Sequence, residues 1–309
     1  MAHLGPRHLI SLADLDSAAI RALVDRGAWY AAGNGRGAIP LRGLVVGIYF
    51  RTTSTRTRTA FSAGALQLGA QIVTYGPRDL QENTGETVGD TTRVLSGMLD
   101  GLVARTSGPE QEMRAFASQS SMAVVNAMSL NEHPTQALAD LATIKSRLGS
   151  VDGIRMLYVG DGNNTAVAMV RALGHFREVD LRLRTPPGYG VDPMVLEQSE
   201  KLFCHNGGRL EHSHDHSSFG INANIVYTTR WQTTGVPKTG ANWRDEFRPF
   251  QLCESVLDAN PEALVMHDLP AHRGEEITAS VLDGPSSVAF EQARTKLPSA
   301  KAVLEWCLT

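Results

Sequence analysis

The feature that most constrains this chain is an alternation of short apolar runs with amphipathic segments of helical period. Leu44-Val45-Val46-Gly47-Ile48-Tyr49-Phe50 has strand length and is apolar throughout, as a strand buried on both faces requires. A helix is expected from Ser54. In the segment from Thr87, residues Val88, Thr91, Leu95, Met98 and Leu99 fall at helical spacing. Leu102-Val103-Ala104 and Met122-Ala123-Val124-Val125 read as further strands, and Pro134 opens a helix whose apolar face carries Ala137, Leu138, Leu141, Ile144 and Leu148. After Gly149-Ser150 the alternation restarts. Strands are expected at Met156–Val159, Val179–Leu183, Asn224–Tyr227 and Ala263–Met266, with a helix over Asn164–Leu173. The segment Phe290–Leu308 reads as a helix interrupted near Pro298, and residues 229–250 read as an irregular loop of the kind that binds ligands. The fold class is therefore α/β: two similar-sized domains, each a parallel sheet flanked by helices.

The chain has 309 residues, long enough for two medium domains, which we divide as 1–145 and 146–288 with a terminal helix over 289–309. A net charge of -3 gives no global attraction to nucleic acid or anionic lipid, so neither is expected as a partner. No apolar run approaches the roughly 18 residues of a membrane span. The start, Met1-Ala2-His3-Leu4-Gly5-Pro6, does not read as a secretory signal. Cys204, Cys253 and Cys307 lie far apart, with neither metal spacing nor a disulfide framework, and a cytoplasmic location is expected.

Polar clusters follow three strands of the first half. Ser54-Thr55-Arg56-Thr57-Arg58 sits between a strand and a helix. A helix start presents free N–H groups and positive potential, and hydroxyl and guanidinium groups add donors of phosphate geometry. The bland reading of the same run is a capped helix with solvated arginines. Arg105-Thr106 and His133-Pro134-Thr135-Gln136 follow two further strands. In a parallel sheet these positions converge on one crevice at the carboxyl edge.

Two other signals are set aside. His212-Ser213-His214-Asp215-His216 invites a metal reading, because alternate strand residues share a face, but it is one residue short of the metallohydrolase pattern. Gly160-Asp161-Gly162-Asn163-Asn164 follows a strand yet lacks the third glycine of a dinucleotide fingerprint. Neither a metal nor a cofactor is expected.

These motifs together resemble the aspartate/ornithine carbamoyltransferase family. The resemblance is carried in family order by Phe50 to Phe61, Gly85-Glu86-Thr87 with Asp90-Thr91, Arg105-Thr106, His133-Pro134-Thr135-Gln136, Gly160 to Asn164, and His267-Asp268-Leu269-Pro270-Ala271-His272-Arg273-Gly274-Glu275-Glu276. It implies a carbamoyl phosphate-binding first domain, an amino-acid-binding second domain, and a C-terminal helix returning to the first. Ser54, Thr55, Arg56 and Thr57 would hold the phosphate, and Arg105, His133 and Gln136 the carbamoyl group. Arg273 would join this set. The resemblance also implies a homotrimer in which Gln81 enters a neighbouring subunit's site.

The acceptor side departs from its relatives. Asn164 matches a residue that contacts the amino acid's carboxylate in the ornithine branch. That branch carries Asp-x-x-x-Ser-Met-Gly where this chain reads Thr229-Arg230-Trp231-Gln232-Thr233-Thr234-Gly235, and His-Cys-Leu-Pro where it reads His267-Asp268-Leu269-Pro270. Thr229-Arg230-Trp231-Gln232 fits the aspartate branch instead. Thr229, Arg230, Gln232, Thr233, Asp268 and Leu269 are thus the expected acceptor contacts, with Asp268 pairing with an ammonium or orienting the attacking amine. The expectation is a carbamoyltransferase acting on a diamino acid other than ornithine, such as 2,3-diaminopropionate. Ornithine itself, or a non-catalytic relative that binds the same ligands, is the alternative.

Overall fold

The computed structural model describes residues 6–80, 84–119, 121–217, 219–233, 237–240 and 242–309. The chain divides into two compact units, Met1–Ala142 with Thr295–Thr309, and Thr143–Arg294. In chain order the first unit holds α1 (Ser17–Ala31), β1 (Val45–Phe50), α2 (Arg56–Gln67), β2 (Gln71–Tyr75), α3 (Val88–Leu95), β3 (Gly101–Arg105), α4 (Glu110–Phe116), β4 (Ala123–Met128) and most of α5 (Pro134–Leu148). The second holds β5 (Arg155–Val159), α6 (Asn164–Leu173), β6 (Asp180–Arg184), α7 (Pro193–His205), β7 (Arg209–Ser213), β8 (Ile225–Thr228), α8 (Trp243–Phe247), α9 (Glu254–Asp258), β9 (Leu264–His267) and α10 (Ala279–Leu282). The last helix, α11 (Ala289–Leu308), begins in the second unit and packs its remainder on the first. Among the described residues, no helix is long and apolar enough to cross a membrane.

Both sheets are wholly parallel, in the orders β2-β1-β3-β4 and β7-β6-β5-β8-β9. The order reverses between β1 and β3 in one sheet and between β5 and β8 in the other. At such a reversal the crossovers leave the sheet on opposite faces and open a crevice at the carboxyl edge. The interior strands β1 and β3 are buried on both faces, as their continuous apolar runs require, and β4 at the far edge is equally buried, with Leu9 bridged to its Val125. The edge strand β2 is partly exposed along its length, with only Ile72 and Tyr75 half-buried, and gave no clear signal in the sequence.

Three local details differ from the sequence reading. The helix from Thr87 stops at Leu95, so that Leu99 packs in the core while Met98 is exposed. The loop over 229–250 contains α8 and a 3-10 turn, whose Trp243, Phe247 and Phe250 are buried. Helix α11 continues through Pro298. A proline removes one helical hydrogen bond, but Thr295, Lys296, Ser299 and Ala300 on either side of it are buried, and that packing holds the helix together.

The loop that leads into α5 is tied down by a buried carboxylate. Glu132 is fully buried and accepts hydrogen bonds from Ser11 Oγ at 2.6 Å and Leu12 N at 2.9 Å. Ser129 braces the same turn through Glu132 O and N. Glu132→Ala strands two buried donors and is expected to lower unfolding free energy by about 3 kcal/mol in urea denaturation, with no change in secondary structure at 25 °C.

Candidate active site

In the first unit the candidate residues sit at the carboxyl ends of β1, β3 and β4. Backbone and side-chain bonds join the loops after β1 and β3: Arg51 N donates to Arg105 O at 2.9 Å, and the Thr52 and Ser107 hydroxyls lie 3.1 Å apart. Arg51 also forms an ion pair with Glu112. Helix α2 then starts at Arg56, with Thr55 at its N-cap. Thr55 makes no side-chain capping bond, so the helix start keeps its N–H groups for another acceptor. Thr57 is buried in the first turn, while Ser54 and Arg56 are half-buried and Thr55 is exposed.

Arg105, the last residue of β3, is 8% exposed, and the register with β4 shifts at this point. His133 and Gln136 come from the start of α5 and are 5% and 1% exposed. Thr135 Oγ1 lies 3.3 Å from His133 Nδ1. Burial above all, then the cations of Lys296 and Arg105, hold the His133 imidazole well below its ordinary pKa. A neutral imidazole among cations is suited to donate a hydrogen bond to a carbonyl oxygen as negative charge develops there. Lys296, on α11, was missed in the sequence: it lies far along the chain in a segment read only as a returning helix. Gln81 lies outside the described residues.

In the second unit the candidate residues follow β5, β8 and β9. Gly160 takes a φ of 121°, and a Cβ on Gly162 would lie 2.3 Å from the Gly190 carbonyl carbon, so the turn after β5 requires both glycines. Asn163 caps α6 by accepting from Thr165 N and Ala166 N. Asn164 is buried in the first turn. Thr229 follows β8 and is 1% exposed. Its hydroxyl lies 3.0 and 3.1 Å from the two oxygens of Asp268, and Thr165 Oγ1 donates to Asp268 Oδ2 at 3.0 Å. Among the described residues no ion pair joins Asp268 to Arg230: the Thr165 and Thr229 hydroxyls hold this carboxylate, and His267 Nδ1 lies 3.5 Å from its Oδ1.

The segment after β9 is fixed by a relay. Leu269 N donates to His267 Nδ1 at 2.8 Å, which leaves the ring proton on Nε2, 3.1 Å from Glu276 Oε1. His267 and Glu276 are both fully buried. The Leu269-Pro270 bond is cis, and Leu269 is half-buried. Arg273 is exposed and paired with Asp283 at 2.7 Å, and within its own unit it joins none of the other candidate residues. In the loop after β8, Arg230 Nε, Trp231 Nε1 and Thr233 Oγ1 are buried and find no hydrogen-bond partner among the described residues. Gln232 is half-buried beside them.

A second ion pair was not foreseen. Lys238 Nζ lies 2.9 Å from Asp161 Oδ2, and 4.9, 5.1 and 6.0 Å from the ring centroids of Tyr189, Phe247 and Trp243. Burial raises the Asp161 carboxyl to about 6 despite the opposing Lys238 cation. Of the histidines set aside as metal ligands, His212 Nε2 lies 2.8 Å from Thr185 Oγ1, His214 Nδ1 lies 2.8 Å from Thr185 O, and His216 packs edge-on against Phe250.

Comparison with known proteins decides the family. Residues 7–146 match the carbamoyl-P binding domain of aspartate/ornithine carbamoyltransferase, and residues 152–307 match its Asp/Orn binding domain. The chain belongs to the aspartate/ornithine carbamoyltransferase family. It is 38% identical over 303 residues to an ornithine carbamoyltransferase of Methanothermobacter thermautotrophicus, covering 98% of this chain and 99% of that one. It is also 38% identical over 302 residues to the anabolic ornithine carbamoyltransferase of Pseudomonas aeruginosa, covering 97% and 96%. The solved ornithine carbamoyltransferase of Pyrococcus furiosus superposes with a TM-score of 0.91 at 34% identity, covering 100% of this chain and 99% of that one. The chain is a carbamoyltransferase, and the two parallel sheets expected from its sequence are the family's fold.

The Lys238–Asp161 pair makes a pH-dependent prediction about this carbamoyltransferase. An acid whose folded pKa is raised binds more protons in the folded than in the unfolded state, so its burial costs stability at neutral pH and the cost fades as pH falls through the folded value. Lys238→Met removes the opposing cation and pushes Asp161 higher still. Calorimetry is expected to show the variant melting well below the parent at pH 8, with the gap narrowing by pH 5.5.

Proposed function

We propose that the chain transfers the carbamoyl group of carbamoyl phosphate to the side-chain amine of ornithine, giving citrulline and phosphate. The observation that carries this reading is the near full-length likeness to proteins named ornithine carbamoyltransferase. It replaces the shorter diamino acid expected from the altered motifs, since the relatives compared above are named for ornithine.

The chemistry follows from the residues. Ser54, Thr55, Arg56 and Thr57 hold the phosphate at the uncapped start of α2. Arg105, neutral His133 and Gln136 hold the carbamoyl group and polarise its carbonyl. The attacking amine must be neutral, so one proton leaves it, and the departing phosphate is a competent acceptor. Asn164, Arg230, Gln232, Thr233 and Leu269 bind the amino acid, and Asp268 faces its cationic end. Holding both reactants in place supplies much of the rate.

One observation favours a second reading. Asp268 is clamped by Thr165 and Thr229, and it stands where the ornithine branch has cysteine, while Thr229 stands where that branch has aspartate. The acidic group is therefore held at a different point, which suits a diamino acid of different length such as 2,3-diaminopropionate. A ureido-product assay over ornithine, 2,4-diaminobutyrate, 2,3-diaminopropionate and aspartate separates the readings. Ornithine is expected to lead by roughly 10-fold in kcat/KM, and Asp268→Asn to lower that value at least 10-fold. A lead for 2,3-diaminopropionate supports the second reading, and no ureido product from any amine sinks both.

We also propose that the chain works as a homotrimer in the cytoplasm. Exposed apolar side chains at Leu66, Val73, Val94 and Met98, on α2, β2 and around α3, support association between copies. Free cysteines fit a reducing compartment. Light scattering is expected to give a mass of three chains, with Val94→Asp/Met98→Asp shifting it toward one.

A further inference from the structure

Arg230, Gln232 and Thr233 lie in a stretch with no helix or strand of its own. With no ladder of backbone bonds to fix them, their placement depends on side-chain anchors from the same loop. Two such anchors are present. Trp231, between Arg230 and Gln232, is 3% exposed and packs on Phe247 with ring centroids 5.4 Å apart. Lys238 comes five residues after Thr233, and its ammonium meets the Asp161 carboxylate at 2.9 Å with side chains only 12% and 8% exposed.

The same rings serve both anchors. Phe247 packs on Trp231, Trp243 and Tyr189, and its ring, with those of Trp243 and Tyr189, surrounds the Lys238 ammonium. Aromatic faces attract a cation, and a cation withdrawn from water also needs a carboxylate. A neutral side chain at 238 would leave Asp161 buried without its counter-ion, and nothing would draw this part of the loop inward. Asp161 in turn belongs to the turn that presents Asn164. That turn is well tied: Tyr158 Oη donates to Asp161 O at 2.9 Å, Gly162 N donates to Tyr189 O at 2.8 Å, and Asn163 Nδ2 donates to Thr229 Oγ1 at 3.4 Å. Tyr189 therefore holds the turn through its carbonyl and flanks Lys238 with its ring.

We propose that Lys238 is a positioning residue for the amine acceptor: its ion pair with Asp161, enclosed by aromatic rings, fastens the segment Arg230–Thr233 to the turn that presents Asn164. The proposal rests on the assignment of Asn164, Arg230, Gln232 and Thr233 to the acceptor. Carbamoyl phosphate is held by the other unit, so loss of the pair acts on one substrate and not the other.

The test uses the full-length chain with Lys238→Met, Lys238→Arg, Asp161→Asn and the double variant Lys238→Met/Asp161→Asn, each at a temperature where circular dichroism shows it folded. The amine is whichever of ornithine, 2,4-diaminobutyrate, 2,3-diaminopropionate and aspartate the parent uses best. Lys238→Met and Asp161→Asn are each expected to raise KM for the amine roughly 10-fold, with KM for carbamoyl phosphate within about twofold of the parent. Lys238→Arg keeps the charge and is expected to recover most of the loss. The double variant is expected to be no worse than the worse single one, because both remove the same pair. Val256→Ala, which hollows the core of the same unit away from the pair, is expected to leave both KM values in place. In ligand-free protein, hydrogen exchange over Thr229–Thr233 is expected to quicken roughly 10-fold in Lys238→Met while β5 and β6 keep their protection. Lys238→Gln takes the place of Lys238→Met if that variant does not fold. An unchanged amine KM in a folded neutral variant overturns the proposal, as does an equal rise for carbamoyl phosphate or an equal rise in Val256→Ala. If the parent gives no ureido product with any amine, the assignment of function fails, whereas hydrogen exchange still judges whether the pair holds the loop.

Discussion

Every strand pair in both sheets is parallel, and the rest of the structure depends on that constraint. Parallel neighbours cannot be joined by a hairpin, so each strand must be followed by a crossover, and all carboxyl ends open on the same edge. Polar residues far apart in the chain are thereby collected at one place in each sheet. In the first unit this edge gathers the loop after β1, Arg105 after β3 and His133 beyond β4. In the second it gathers the turn after β5, Thr229 after β8 and Asp268 after β9. The polar groups are spent at strand ends because the strands themselves, buried on both faces, have no room for them.

The two edges differ in electrostatic character. The first is dominated by cations: Arg56, Arg105 and Lys296, with an imidazole kept neutral by burial and by those charges. That suits a dianionic leaving group and a carbonyl oxygen gaining negative charge. The second is acidic. Asp268 is held by two threonine hydroxyls, Asp161 faces Lys238, and Glu276 is shut in with His267. Asp268 is thus held by neutral hydroxyls, whereas Asp161 is paired with a lysine. Asp161, through Lys238, anchors the loop after β8, and Asp268 ties the end of β9 to the turns after β5 and β8.

The alternation of apolar runs and amphipathic segments was enough to determine from sequence the α/β class, the parallel sheets and most of the strands, because a strand buried on both faces must be apolar at every position. The edge strand β2 escaped because one-sided exposure erases that signature, and Pro298 misled because buried neighbours outweigh one lost hydrogen bond. Within the candidate sites, the shared placement of Ser54 to Arg58, Arg105, His133 and Gln136 was legible because residues just after parallel strands share an edge whatever lies between them. Tertiary structure alone decided the rest. That Lys296 meets Gln136, that Lys238 meets Asp161 within three aromatic rings, and that Thr165 and Thr229 rather than Arg230 hold Asp268 all depend on side chains brought together from separate elements. Sequence periodicity reports which face of an element is buried; it carries no record of which partner the packing brings against that face.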